Sequence, residues 1–377
     1  MSTRIKLLLV IPTLDQSGAE KQLATLCTRL DPQQYDVQVI CLTRGGHYEQ
    51  MLREAGIRVS VLKKRFKFDP FTMWQLKREI RRFSPDVIHT WLFAANAYTR
   101  LVAPAKYRSR LIVSERCVDS WKAGWQLWLD RKQVSQTARL IGNSQAVVDF
   151  YRELGYRDDQ LGCIHNGISL PEEISVEQKQ TLRSEILAKH QLPEQARIVL
   201  SVSRLAEQKR IKDLIWAMQL LRQVDPRYHL LLLGDGPQKE ELQDYARGCE
   251  VLKHCHFLGH QNPQRYFQVS DCYWLASEFE GLSNSLMEAM SYGLPCVVSE
   301  ISSNCELIEH ETNGLVAKLG ESAEIAKQTR RLFEGTEPLA EGLGQAAQLR
   351  IAEEFSIERM VKAYTELYTQ VHHASTA

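Results

Sequence analysis

Short apolar runs recur through the first part of this chain, at positions 5–11, 36–42, 58–62, 86–90, 110–114 and 139–142, with helical patterns between them. The first of them, IKLLLVI, shows no polar alternation and stops at Pro12, as a parallel strand covered on both faces should. Strands that alternate with helices predict a doubly wound α/β domain. The stretch CIHNGI at 163–168 turns the chain at Asn166-Gly167, and a polar segment follows at 169–178. Apolar runs then resume at 197–203, 228–233, 255–258 and 295–299. A chain of 377 residues is long enough for two such domains, each with its own core. The expected division is 1–168, 169–355 and a terminal helix in 356–377.

The net charge of about +1 argues against a general nucleic-acid binder. That near-zero sum hides an asymmetry, about +10 for residues 1–160 and about −9 for the remainder. Nine scattered cysteines with no C-x-x-C pair suit a reducing, cytoplasmic compartment. Cys249, His254, Cys255 and His256 fit no common zinc spacing, and alternation at a strand start explains them better. No metal and no resident cofactor is expected. No apolar run reaches the length of a membrane span.

Ligands of doubly wound sheets gather at the carboxyl ends of the strands. Several chemically capable residues fall there. In SEFEGLSNSLMEAMSYGLPCVV, residues 277–298, Glu280 and Glu288 flank the start of a helix that Gly293 and Pro295 terminate. The backbone N–H groups of Gly281, Leu282, Ser283 and Asn284, at the positive end of that helix dipole, form a seat for an anion. A phosphate there would leave Glu288 and Glu280 near adjoining hydroxyls, which together describe a nucleotide sugar; the alternative is that both acids cap and solvate an ordinary helix. Arg204 and Lys209 lie in the loop after run 197–203, where a guanidinium fork and an ammonium could hold a diphosphate. In the first domain, Gly18 permits close approach of a ligand before a helix. His89, at the end of DVIHT, reads equally as a proton carrier or sugar contact and as a satisfied strand-end histidine. Arg116 could steady an anionic group.

The stretch EGLSNSLMEAMSYGLPCVVS resembles the acidic signature of the retaining glycosyltransferases of family 4, which have the GT-B fold. VSRLAEQKRIKDLIWA is similar to the second signature of that family, and SGAEK to its glycine loop, with Ser17 where a glycine is usual. The resemblance implies two Rossmann-like domains facing each other across a donor cleft, with the last helix returning to the first domain. It implies that Arg204 and Lys209 bind the donor diphosphate, Glu288 the ribose and Glu280 the transferred sugar. Gly18 would face the diphosphate and the loop at Gly259 would meet the base through its backbone. The implied reaction is retaining transfer of a hexose or N-acetylhexosamine from a nucleotide sugar, with UDP the expected nucleotide, to a cell-envelope glycan or lipid-linked acceptor. Its alternatives are a nucleotide-sugar isomerase or phosphorylase working without an acceptor, and a non-catalytic nucleotide-sugar binding protein.

Residues 63–83, KKRFKFDPFTMWQLKREIRRF, interleave basic and aromatic side chains. That composition suits peripheral contact with an anionic membrane, against the alternative of a solvated helix with an aromatic core face. Trp121, Trp125 and Trp128 could stack on sugars or lipid, but their helical spacing favours core packing.

Overall fold

A computed structural model of the chain describes residues 4–334 and 339–374. It divides into two units, Met1–Gly167 with Ile357–Ala377, and Ile168–Ser356. The first contains β1 (Ile5–Thr13), α1 (Gly18–Arg29), β2 (Tyr35–Arg44), α2 (His47–Glu54), β3 (Arg58–Val61), α3 (Pro70–Phe83) and β4 (Val87–Trp91). It continues through α4 (Leu92–Val102), β5 (Leu111–Glu115), α5 (Gly124–Lys132), β6 (Arg139–Gly142), α6 (Gln145–Glu153) and β7 (Leu161–Cys163). All seven strands are parallel, in the order β3-β2-β1-β4-β5-β6-β7. β1 explains the sandwich: Leu7, Leu9 and Ile11 face one core while Leu8 and Val10 face the other, so helices must cover both sides. The strand β7 has no counterpart among the expected runs, because three residues, Leu-Gly-Cys, carry too little pattern to be recognised.

The second unit runs α7 (Val176–Lys189), β8 (Arg197–Val202), α8 (Ile211–Val224), β9 (Tyr228–Leu233), α9 (Lys239–Gly248), β10 (Cys255–Gly259) and α10 (Pro263–Val269). β11 (Cys272–Leu275), α11 (Asn284–Ser291), β12 (Cys296–Ser299), α12 (Ser302–Cys305), β13 (Leu315–Ala317), α13 (Ser322–Phe333) and α14 (Ala340–Glu354) complete it. Its sheet is also parallel, in the order β10-β9-β8-β11-β12-β13. Both sheets therefore reverse their winding beside their first strand, between β1 and β4 and between β8 and β11. Such a reversal splays the neighbouring loops apart and leaves a crevice at the carboxyl edge.

The chain finally re-enters the first unit as α15 (Ile357–Ala374). Met360, Tyr364, Leu367, Tyr368 and Val371, on one helical stripe, complete the core that β1 and α1 share. Gly167 lies against its start: a Cβ there would come within 2.7 Å of the Ile357 Cα. The Gln22 amide clamps the same glycine, accepting from its N–H at 3.0 Å and donating to its carbonyl at 3.1 Å.

The tryptophans differ from expectation. Trp121, Trp125 and Trp128 are 57, 56 and 60 % exposed, not packed into the core. The loop before α5 is instead anchored by Lys122, whose ammonium is buried within 2.9 Å of Asp119, 3.0 Å of Asp130 and 3.4 Å of Glu115. It also donates to the Tyr151 hydroxyl at 2.7 Å, and Arg100 pairs with Asp130 at 2.6 Å. Two cations thus face three carboxylates, and burial pushes the Glu115 carboxyl up to about 7 against the pull of Lys122. Lys122→Ala would leave those carboxylates uncompensated, and urea unfolding should register a loss of about 3–5 kcal/mol.

In the second unit, His229 Nδ1 and His256 Nε2 are 3.1 Å apart on adjacent strands, and His254 stacks on His229 at 4.7 Å. Cys255 turns to the opposite core. Burial, then the neighbouring imidazoles, hold His229 and His256 at about 4. The folded state therefore binds fewer protons than the unfolded chain below the ordinary histidine value of 6.5. Stability from this pair is complete above that pH and is lost as pH falls toward 4. The urea midpoint of His229→Gln/His256→Gln should fall less steeply than that of the wild type across this window.

Candidate functional site

In the second unit the strongest candidates converge on the winding reversal between β8 and β11. The loop after β8 carries Arg204 and runs through Leu205 into a single 3-10 turn, Glu207–Lys209, before α8. The turn after β9 lies flush beneath it. A Cβ on Gly234 would sit 2.1 Å from the Ser203 carbonyl oxygen, and one on Gly236 would sit 2.3 Å from that of Leu205. Gly234 also has φ +123°, a conformation costly for any residue with a side chain. Backbone bonds from Leu205 to the Asp235 carbonyl (3.0 Å) and from Gln238 to the Leu205 carbonyl (3.1 Å) complete the seam. Gly234 donates to the Gly259 carbonyl at 2.8 Å, which brings the end of β10 to the same corner. Gly259 has φ +64° and open space where a Cβ would be, so its backbone geometry alone favours glycine there.

The loop after β11 meets this one from the other side. The Glu278 N–H donates to the Gln208 carbonyl at 2.8 Å. The Lys209 ammonium forms an ion pair with the Glu280 carboxylate. Glu280 is 9 % exposed and also accepts from the buried Ser277 hydroxyl at 2.7 Å, while Ser299 donates to the Ser277 carbonyl at 2.6 Å. Beyond Gly281 and Leu282, Ser283 is the N-cap of α11, accepting from the Leu286 N–H at 3.4 Å. Asn284 opens that helix, and Glu288 stands half-buried one turn further along it.

Under these loops lies Tyr273, which has no place in the sequence expectations. Its hydroxyl donates to Ser285 at 2.8 Å, and burial raises its pKa, with the carboxylates of Glu280 and Glu288 adding to the effect. Both acids are thus near enough to act on one buried phenol, which remains a neutral donor. Arg204 is exposed, and its guanidinium makes no hydrogen bond or ion pair among the described residues. The two cations therefore differ: Lys209 is already neutralised by Glu280, whereas the charge of Arg204 is uncommitted.

Two family models match the chain, Glycosyltransferase Family 4 over residues 16–171 and Glycosyl transferases group 1 over residues 183–350. The chain belongs to glycosyltransferase family 4. Its fold is GT-B. It is 24% identical over 355 residues to the lipopolysaccharide core biosynthesis glycosyltransferase LpsD of Rhizobium meliloti, covering 94% of this chain and 95% of that one. It is 26% identical over 245 residues to N-acetyl-alpha-D-glucosaminyl L-malate synthase of Bacillus anthracis, 64% of this chain and 62% of that protein. Anabaena HepE, solved in complex with UDP-glucose, matches the fold with a TM-score of 0.83 at 20% identity, over 97% of this chain and 100% of that one.

The first-unit candidates of this family 4 chain have other surroundings. Gly18 opens α1, after a loop in which the Thr13 and Ser17 hydroxyls hold the buried Glu20 carboxylate. His89 is wholly buried, with Nδ1 2.8 Å from the Tyr368 hydroxyl and Nε2 2.7 Å from that of Ser114. Burial, then the nearby Arg116 charge, drives its pKa well down, so it is a neutral ring with both nitrogens engaged. That geometry fits the satisfied strand-end histidine. Arg116 lies over Trp91 at 4.4 Å and donates to the Tyr364 hydroxyl at 3.2 Å and to the Asn166 amide oxygen. It is the bolt between β5, the Asn166 turn and α15, and only 9 % of it is exposed. His89→Ala would strand two buried hydroxyls and open a cavity, at a cost of about 3 kcal/mol. Thermal unfolding should register that loss.

Proposed function

We propose that the protein is a retaining glycosyltransferase that moves a hexose or N-acetylhexosamine from UDP to a cell-envelope glycan or lipid-linked acceptor. The observation that carries this reading is the Lys209–Glu280 ion pair on two loops stitched together at one winding reversal, with Arg204 on the first loop and Glu288 on the helix that follows the second. The family membership, the UDP-glucose complex of the HepE fold relative and the lipopolysaccharide role named for LpsD support it.

Departure of the nucleoside diphosphate puts negative charge on the pyrophosphate as the sugar becomes oxocarbenium-like. Fixed positive charge beneath the phosphates is therefore the largest favourable contribution. Arg204 supplies it at once, and the N-terminal end of α11 adds the positive end of its helix dipole. Lys209 supplies it by exchanging its Glu280 partner for a phosphate oxygen, which frees Glu280, still held by Ser277, to accept from hydroxyls of the transferred sugar. Glu288 accepts from the ribose hydroxyls. Retention follows if the leaving phosphate takes the acceptor proton on the face it departs from, so no separate base is needed.

A thermal-shift screen of nucleotide sugars tests this directly, because selective binding stabilises in proportion to affinity. UDP sugars should raise the midpoint and GDP and ADP forms should not. Arg204→Ala and Glu288→Gln should each weaken UDP-sugar binding by about tenfold to a hundredfold, the worth of one charge-assisted contact. Steady conversion of the donor sugar without an acceptor would reassign the chain to an isomerase or phosphorylase, and no stabilisation by any nucleotide would defeat the reading.

A further inference from the structure

The donor chemistry makes no use of the layer formed by α3, α4 and α5, yet that layer is unusual. Phe66, Phe68, Phe71 and Trp74 are 68, 66, 64 and 54 % exposed, and the three tryptophans around α5 are equally bare. α3 turns Thr72, Leu76, Ile80 and Phe83 to the core, so its exposed rings are not a core face seen edge-on. The two aromatic groups share one helical layer. The 67–69 segment is fastened to α4, whose Tyr98 hydroxyl donates to the Lys67 carbonyl and accepts from the Asp69 N–H. Phe93, at the other end of α4, meets Trp125 edge-on at 5.9 Å.

Charge on this layer is sorted. Between residues 63 and 136 every exposed ionic side chain is a lysine or arginine, while all six acids, Asp69, Glu79, Asp86, Glu115, Asp119 and Asp130, are buried or half-buried. The buried acids also hold the rings outward. Asp69 caps α3, accepting from the N–H groups of Phe71 and Thr72, and accepts from the Arg65 N–H at 3.0 Å, which fixes the loop bearing Phe66 and Phe68. Asp119 and Asp130 grip Lys122, beside Trp121. Leaving such rings in water is unfavourable, and water alone gives no reason to withdraw every acid from a surface.

We propose that this layer is a docking face for an anionic lipid bilayer, with the α5 tryptophans as a second anchor beside the basic α3. Indole and phenyl rings partition to the headgroup level, and lysines and arginines on an aromatic face are drawn to negative lipid. The proposal is independent of the sugar-transfer reading.

The test is flotation of the full chain with phosphatidylcholine vesicles, with and without phosphatidylglycerol, at low and high salt. Binding should require phosphatidylglycerol and weaken with salt, and brominated acyl chains should quench tryptophan emission. Arg78→Gln/Arg81→Gln should lower partitioning about thirtyfold, roughly fivefold for each charge removed. Trp121→Ser/Trp125→Ser/Trp128→Ser should abolish most of the quenching at an unchanged thermal midpoint, whereas Trp216→Phe, in the second unit, should leave it intact. A wild-type protein that stays at the bottom with anionic vesicles at low salt overturns the proposal, as does flotation undiminished in both multiple variants. Binding to heparin or RNA without binding to vesicles would also overturn it.

Discussion

Parallel strands buried on both faces leave a chain almost nowhere to keep polar chemistry except the strand ends. β1, β8 and β9 are apolar along nearly their whole length, so the loops that leave their carboxyl edges carry the groups that can act. At the reversal between β8 and β11 two such loops diverge from the sheet and are then drawn back together by the Glu278–Gln208 backbone bond and the Lys209–Glu280 ion pair. The same constraint acts in the first unit with a different outcome. There the strand-end groups His89 and Arg116 are consumed by Tyr368, Tyr364 and Asn166, and fasten α15 in place.

Most of the strands and both sheets' class were legible in the sequence because unbroken apolar runs between helical patterns admit few other arrangements. Three of the charged residues gathered at the second reversal stood out for a related reason: Arg204, Lys209 and Glu280 follow apolar runs, while Glu288 stood out as an acid one turn into the next helix. What the sequence concealed lies in pairings across long separations. The 71-position separation of Lys209 and Glu280 gives no hint that one neutralises the other. Tyr273 reads as one more apolar residue of a buried strand until its hydroxyl is seen against Ser285. The surroundings of His89 could not be read from its strand alone, since one of the two hydroxyls that hold its ring lies 279 positions away.

The tryptophans around α5 illustrate a different failure. Helical spacing and indole size both argue for the interior, and that argument assumes the apolar stripe is what anchors the helix. Here the anchor is ionic. Lys122 and Asp130 take the inward positions among the carboxylates and Arg100, and the rings are left outside. A buried lysine is rare enough that spacing rules do not anticipate it.

The return of α15 to the first unit has a consequence for biosynthesis. Proteins emerge from the ribosome amino end first, and early domains ordinarily fold while later ones are still being made. Here the groove that awaits Tyr364 and Tyr368 is formed with strands made early, yet its filling is translated only after the whole second unit. The nascent first unit must therefore wait, with an open apolar trough, while the whole second unit is synthesised. A message or ribosome that stops short of residue 357 releases a polypeptide lacking the α15 side of the first unit's core.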